Sequence, residues 1–595
     1  MPVFRLYRAV ATYLLVAIGL ACTSGCLATR VKWAEPEYIA PLKPGWITST
    51  PALDATERLY ATAIDQEEKC LASCVDLFFE VALATSHHDR HTCRRCRKRD
   101  LHKSALMKLV VTGQRFDRLD PRNGLTIFRQ GHEASIPITY RGFVWQADDF
   151  HFLSPVGDYR TNAFRNTHWR AGVGVPLVVT RCGKEEGTFL PDRSVFAATL
   201  RLGCGNNANE GSDWATHCQL EMYDPLRIDR ALTSDGPQCI AKDLGASLAF
   251  RLRDENRTIL NNFIDPDSAG SDYRLYTIEP YQSGKIPVVF IHGLLSDPFT
   301  WVEMVNELRA QPGFVDHFQI WVFEYPTGQA FLSSAARLRE QLATSRRTFD
   351  PLYQDPQLCN MVLVGHSMGG LVAKLQVTSS GDQLWRSVAN RSLQEVATSS
   401  KYRQELAAAF YFRPSPCVSR VVFIGTPHRG SAFATRFVGR IGSSLVSVSD
   451  DREQDYENLM RCNPGVFSDE VSRRIPTSID LLEPESKLLQ AIAGLPASCR
   501  VRMHSVIGNH CRTLMHGWSD GVVPVQSARE SRAITERFVD TVHTKTKSHP
   551  ESIQEVLSIL GQHLEESDRS LVRPVSLDLA ADGSNSRRST NTARR

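Results

Sequence analysis

The stretch "NMVLVGHSMGGLVAKL", Asn360 to Leu375, sets Ser367 two residues from a glycine on either side. A serine hydroxyl is a poor nucleophile near neutral pH unless a neighbouring base takes its proton as it attacks. The pattern G-x-S-x-G arises by chance roughly 0.2 times in a chain of this length, so its context must carry the weight. A strand running into the motif and a helix leaving it would put the serine on a sharp turn with its hydroxyl exposed. Met361 to Val364 is a continuous apolar run suited to a buried parallel strand, and Leu371, Val372, Leu375 and Val377 follow at helical spacing. Gly365 and Gly369 then stand where strand and helix backbones nearly touch and a side chain has no room. Ser367 is the candidate nucleophile.

The elements that must hold such a serine can be read on either side of it. From Lys285 onward the runs "IPVVFIHG", "FQIWVFEY", "MVLVGHS", "VSRVVFIGTP" and "VRMHSVIGN", with a weaker "RFVDTV", alternate with helical patterns. That alternation predicts an α/β domain with a mostly parallel sheet over 276–565, interrupted by an insertion or cap at about 432–500. Within the insertion, Leu481, Leu482, Leu488, Leu489 and Ile492 could line an apolar acyl pocket or simply pack the cap onto the body. A chain of 595 residues exceeds what one core spans, and two further regions precede this domain. Residues 50–116 read as a small helical region. Residues 117–275 hold short apolar runs between turn signals, "SIPITY", "GVGVPLVVTRC", "SVFAATLRLGC", "HCQLEMY" and "GASLAFRL", and read as a β-rich domain, a small sandwich that is either a binding module or a packing partner. The polar tail 566–595 is predicted disordered. A net charge of +4 is small for this length and gives no argument for a nucleic-acid partner.

Taken together, "VVFIHGLL" (Val288 to Leu295), "GHSMGG" (Gly365 to Gly370), "TPHRGS" (Thr426 to Ser431), "DGVVPVQSA" (Asp520 to Ala528) and "SHPES" (Ser548 to Ser552) resemble an α/β-hydrolase of the lipase and esterase group. The "TPHRGS" and "DGVVP" stretches are similar to the inositol-deacylase-like lipases. The resemblance implies hydrolysis of carboxylic esters with an acyl or lipid portion. It also implies a triad in the chain order serine, acid, histidine. Asp520 follows the strand-like "VRMHSVIGN" and is the expected acid, although "SDG" also reads as a turn in which Asp bonds its own backbone, and Asp540 competes. His549 is the expected base, because Pro550 at a first helical position marks a loop-to-helix boundary there. His543 lies nearer the preceding strand and stays the alternative. His504 reads as a core residue, and His510 and His516 precede the acid. The oxyanion of acyl transfer would be met by the backbone NH groups of Met368 and, by family analogy, Leu294. His292 and His366 belong to loop patterns that the resemblance explains structurally. An acyltransferase would use the same residues, and a non-catalytic envelope scaffold is the reading from another class. No metal or organic cofactor is called for, and the sequence points to no protein partner.

Arg5 and Arg8 precede "AVATYLLVAIGLA", a short apolar run that reads as an export signal over 1–26. "TSGC", ending at Cys26, resembles a bacterial lipobox, so the expectation is an exported chain anchored to the envelope membrane through a lipid on Cys26, with ordinary cleaved secretion or an uncleaved anchor as the alternatives and 27–49 as a linker. In an oxidising compartment paired cysteines favour disulfides. Cys70 and Cys74, and Cys93 and Cys96, are spaced as if on single helix faces, so an antiparallel hairpin would join Cys70 to Cys96 and Cys74 to Cys93. Zinc held by the same thiols or by His87, His88 and His91, and free buried thiols, remain open alternatives.

Overall fold

The computed structural model describes residues 31–33, 54–88, 97–129, 131–183, 189–204, 217–234, 236–254, 273–431, 450–473, 475–513 and 517–572. The export signal with Cys26, most of the expected linker, Cys93, Cys96 and residues 573–595 lie outside them. Among the described residues no helix is long and apolar enough to cross a membrane.

The amino-terminal half begins with three helices, α1 (Ala55–Glu68), α2 (Ser73–Thr85) and α3 (Arg97–Arg115). Asp54 and Glu57 form a reciprocal capping box that starts α1. The chain breaks between α1 and α2, with Cys70 at φ +56° in the turn. Cys70 is therefore exposed while Cys74 is buried inside α2, which corrects the expectation that they share one helix face. The strands that follow are β1 (Ile138–Arg141), β2 (Phe152–Pro155), β3 (Val175–Cys182), β4 (Arg193–Cys204) and β5 (Cys218–Tyr223). They form one sheet in the order β1-β5-β4-β3-β2. Cys204 and Cys218 face each other across β4 and β5 and are joined in a disulfide. This bond depends on strand register, which cysteine spacing does not reveal.

One face of the sheet packs on the helices, where Tyr60, Phe78, Phe79 and Leu106 share a core with Leu177, Phe196, Leu200 and Met222. A three-stranded antiparallel sheet, from Leu119–Asp120, Gly124–Arg129 and His132–Ile136, contributes Leu125, Ile127 and Ile136 to the same core. The helical and β-rich regions thus share one hydrophobic core. Helix α4 (Leu244–Asp254) covers the other face, with Ala246 and Phe250 against Val178. This is the "GASLAFRL" run, expected as a strand. Its Leu, Ala and Arg content favours helix, and Asp243 Oδ1 accepts the Ala246 N–H at 3.0 Å to start it. Part of the expected linker is also docked: Val31–Trp33 pairs with Tyr159–Thr161, and Trp33 stacks on Tyr159 at 5.3 Å.

The second half is built on seven strands: β6 (Arg274–Thr277), β7 (Ile286–Ile291), β8 (Phe318–Glu324), β9 (Met361–His366), β10 (Val418–Ile424), β11 (Arg502–Gly508) and β12 (Ala533–Val539). Their order is β6-β8-β7-β9-β10-β11-β12, and every pairing is parallel except β6 with β8. Strands buried on both faces must be apolar throughout, and each face has its own core. Val289, Ile291, Leu363 and Phe423 pack with α6 (Phe331–Phe349) and α7 (Met368–Val377). Val288, Phe290, Val364 and Ile424 pack on the opposite side with α5 (Val302–Arg309) and α10 (Pro550–Val572). Between β10 and β11 the described insertion includes α8 (Asp450–Cys462) and α9 (Lys487–Gly494). Leu481, Leu482, Leu488, Leu489 and Ile492 are all buried in the core that also holds α7, so they pack the insertion onto the body.

Helix α10 runs past Glu566, where the tail was expected to begin, because buried Arg420 of β10 holds it. The Arg420 guanidinium donates to Glu566 at 2.5 Å, to His563 Nδ1 at 3.2 Å and to His504 Nε2 at 2.8 Å. Burial, reinforced by Arg420, pushes His504 down to about 3, and burial likewise pushes His563 down to about 4. Above the ordinary histidine range neither state binds these protons. As pH falls through about 6.5, the unfolded chain takes protons that the folded one refuses, and stability drops until the folded values are reached. By pH 5 each histidine removes about 2 kcal/mol. Denaturant unfolding at pH 7 and pH 5 should therefore show a lower midpoint at pH 5, and His563→Gln should reduce that difference without abolishing it, since His504 remains.

Candidate active site

Every side chain at the site lies just beyond the carboxyl end of a parallel strand, where such sheets converge on a ligand. Ser367 follows β9 and precedes α7, with φ +55° and ψ −126°. That backbone is strained for a residue with a side chain, and its neighbours hold it there. Its N–H donates to the Ile424 carbonyl at 2.9 Å, and the Gly370 N–H returns to the Ser367 carbonyl at 3.0 Å. A Cβ on Gly369 would lie 2.3 Å from the carbonyl oxygens of Ile291 and His292, so this turn needs glycine. The strand, turn and helix order read from the sequence is the order found.

Ser367 Oγ lies 3.0 Å from Nε2 of His543, and Nδ1 of His543 lies 2.7 Å from Oδ2 of Asp520. With Nδ1–H donating to the carboxylate, Nε2 carries the lone pair and can accept the serine proton. Asp520 is 2% exposed and His543 8%, so the pair is shielded while Ser367 stays half-buried. Asp520 is both turn residue and histidine partner: Oδ1 accepts the N–H groups of Val522 at 2.9 Å and Val523 at 2.7 Å, and Oδ2 is left for the imidazole. The competing Asp540 pairs instead with His510 at 2.9 Å.

His549, favoured above as the base, is not at this site. Its Nδ1 accepts the Glu551 N–H at 3.4 Å, and its carbonyl accepts the Ile553 N–H at 3.1 Å, so it closes the start of α10. The boundary marked by Pro550 is real but belongs to helix capping. The return to the site is shorter: β12 ends at Val539, and the His543 N–H already donates to the Asp520 carbonyl at 2.9 Å. A 3₁₀ helix, His543–Ser548, then carries the chain roughly 12 Å away at about 2 Å per residue, too far for His549 to return.

The loop after β7 runs against the serine, since a Cβ on Gly293 would sit 2.9 Å from Ser367 Cβ. Tyr325, at the end of β8, pins this loop: its hydroxyl donates to the His292 carbonyl at 2.6 Å, and its ring stacks on the His292 imidazole at 4.4 Å. Burial pushes His292 down to about 4 and holds His366 well below the ordinary histidine range, so both stay neutral. His366 Nε2–H donates to the His543 carbonyl at 3.1 Å, which makes it a support for His543. The N–H of Leu295 is engaged by Thr327 Oγ1 at 3.3 Å. Those of Leu294 and Met368 have no acceptor among the described residues. Tyr325 and His366 were not legible as supports, because their partners are backbone carbonyls distant in sequence.

No protein-family model matches the chain, and no curated protein matches it in sequence. Among solved structures it is similar to the mature form of the Bacillus licheniformis lipase BlEst2, at 15% identity and TM-score 0.30 over 49% of this chain and 99% of that one. It is similar also to EstA from Clostridium botulinum, at 12% identity and TM-score 0.30 over 48% and 88% of the two chains. Esterase B from Lactobacillus rhamnosis, inhibited by a tributyrin phosphonate, matches at 15% identity and TM-score 0.28 over 51% and 85%. At these scores the site is read from its own distances. For turnover of a short p-nitrophenyl ester, His543→Ala should cost at least about a thousandfold in kcat, whereas His549→Ala should keep most activity. The reverse result would move the base back to His549.

Proposed function

We propose that this chain is a serine hydrolase of the α/β-hydrolase type that cleaves carboxylic esters through an acyl-enzyme on Ser367. The observation that carries this reading is the continuous chain of contacts from Ser367 Oγ through His543 to Asp520, at 3.0 and 2.7 Å. Three such groups in hydrogen-bond order have no use in a scaffold. As Ser367 attacks the ester carbonyl, its proton passes to His543 Nε2, and Asp520 stabilises the imidazolium through Nδ1–H. The carbonyl oxygen gains negative charge, and the free N–H groups of Met368 and Leu294 are the donors to receive it, a contribution of several kcal/mol. When the tetrahedral intermediate collapses, His543 returns the proton to the leaving alkoxide. Water, activated by the same imidazole, then attacks the acyl-enzyme, and the acid and free serine are released.

The substrate class is that of an ester with an acyl portion. An acyl pocket built from Leu481, Leu482, Leu488, Leu489 and Ile492 is not part of the proposal, since those side chains are spent in the core. Export and a lipid anchor at Cys26 rest on the sequence pattern of residues 1–26. A fluorophosphonate probe should label the protein once, at Ser367, and Ser367→Ala should lose both labelling and ester turnover while staying folded. Asp520→Asn should retain more activity than His543→Ala and add little to it in the double variant, because triad members act as a unit. Equal labelling of the alanine variant would overturn the proposal.

A further inference from the structure

Several contacts join the amino-terminal half to the second half, among them Arg227 with Glu279 at 2.6 Å and Phe189 with Phe349 at 5.1 Å, and one set is made by the short segment "AFRNTH", Ala163–His168. Its base is fixed: Phe164 is buried with Ala249 and Leu252 of α4, and the Gly245 N–H donates to the Thr167 carbonyl at 2.9 Å. Its tip meets α5, the helix that begins soon after the loop carrying Leu294. Phe164 packs against Phe299 and Val302, the Asn306 side chain donates to the Asn166 carbonyl at 2.7 Å, and Asn166 donates to Glu307 at 3.0 Å. His168 lies 3.1 Å from the same Glu307 carboxylate.

Arg165 makes the contact with most consequence. Its backbone N–H and its Nε–H donate to the two oxygens of Glu303 on α5, each at 2.9 Å, and the Glu303 side chain is only 5% exposed. The same guanidinium donates through Nη2 to the carbonyl of Ser548. Ser548 is the last residue of the 3₁₀ helix whose first residue is His543. A carbonyl at a helix end has no partner within the helix and must find a donor elsewhere. Here the donor comes from 383 residues earlier in the chain. Asp520 holds the front of that helix, through its carbonyl to His543 N–H, and Arg165 holds its rear.

We infer that Arg165 is a positioning residue for the base: the guanidinium ties the His543–Ser548 helix to α5, so that the amino-terminal half sets the geometry between imidazole and serine. The inference rests on His543 being the base of the proposed triad. Small displacements of a reacting group are costly, and about 1 Å can cost on the order of a hundredfold in rate. The tether therefore acts on turnover more than on substrate affinity.

The test uses the full chain. Arg165→Met alone leaves the buried Glu303 carboxylate with a backbone N–H but no charged partner, so it is paired with Glu303→Gln, and Glu303→Gln alone serves as the control that keeps the Ser548 contact. The double variant should unfold at nearly the same temperature as the control. Its kcat on a short p-nitrophenyl ester should be about ten- to a hundredfold lower, with KM within about twofold, and hydrogen exchange should quicken in residues 543–548. Arg165→Lys, which can reach one acceptor but not both, should recover part of kcat. Unchanged kcat in the double variant, or a fall in kcat that only tracks lost folded protein, overturns the inference. A wild type that neither turns over ester nor labels with the probe overturns the triad reading, and exchange in 543–548 still reports whether the tether exists.

Discussion

The site depends on one steric constraint, the left-handed backbone of Ser367. Holding a residue with a side chain at φ +55° and ψ −126° costs on the order of 1–3 kcal/mol, and such strain persists only where the surroundings over-determine it. Here β9 lies in the middle of the parallel sheet, the Ser367 N–H is held by β10, and Gly369 presses on the end of β7. These contacts also decide which loops can meet at the hydroxyl. The loop after β7 can touch Ser367 only because Gly293 and Gly369 let backbones approach that closely. Beneath α7, Lys374 and Glu530 form a buried pair at 2.6 Å that joins the helix after Ser367 to the chain entering β12, the strand that leads to His543.

Ser367 and the parallel strands β7 to β11 were legible because each follows from a local rule, whereas Asp520 was expected from the resemblance to the hydrolase pattern. Buried parallel strands must be apolar throughout, and a tight strand-to-helix turn must carry glycines. The placement of His543 beside Ser367 was not legible for the same reason in reverse. Between Val539 and Pro550 the residues, Val542 apart, are polar, and one valine does not separate a histidine four residues past the strand from one ten past it. What separates them is a backbone bond from His543 to the Asp520 carbonyl, a contact across twenty-three positions. Pro550 marked a helix start correctly, and the inference that the base must sit there was the weak step.

The first half shows the same division. Strands β1, β3, β4 and β5 were legible as short apolar runs, but β2 and α4 were not, and for α4 a run of Leu, Ala, Phe and Arg suits either element until Asp243 caps it. Nor could spacing show that α1–α3 and the five-stranded sheet share a core. The long-range polar contacts of Arg165 and Arg420 were invisible for a further reason. Each arginine reaches partners on elements that come together only in the finished fold, and its own neighbours in sequence say nothing of them.

Asp520 divides its two oxygens between two tasks, one for the turn and one for the imidazole. The acid therefore cannot be transplanted to another loop as an isolated side chain. A glutamate, one methylene longer, would bring its carboxylate either to the Val522 and Val523 amides or to His543, and the remaining partner would be stranded. Anyone redesigning the rim of this site must treat residues 519–524 as a single casting, to be moved whole or left where it is.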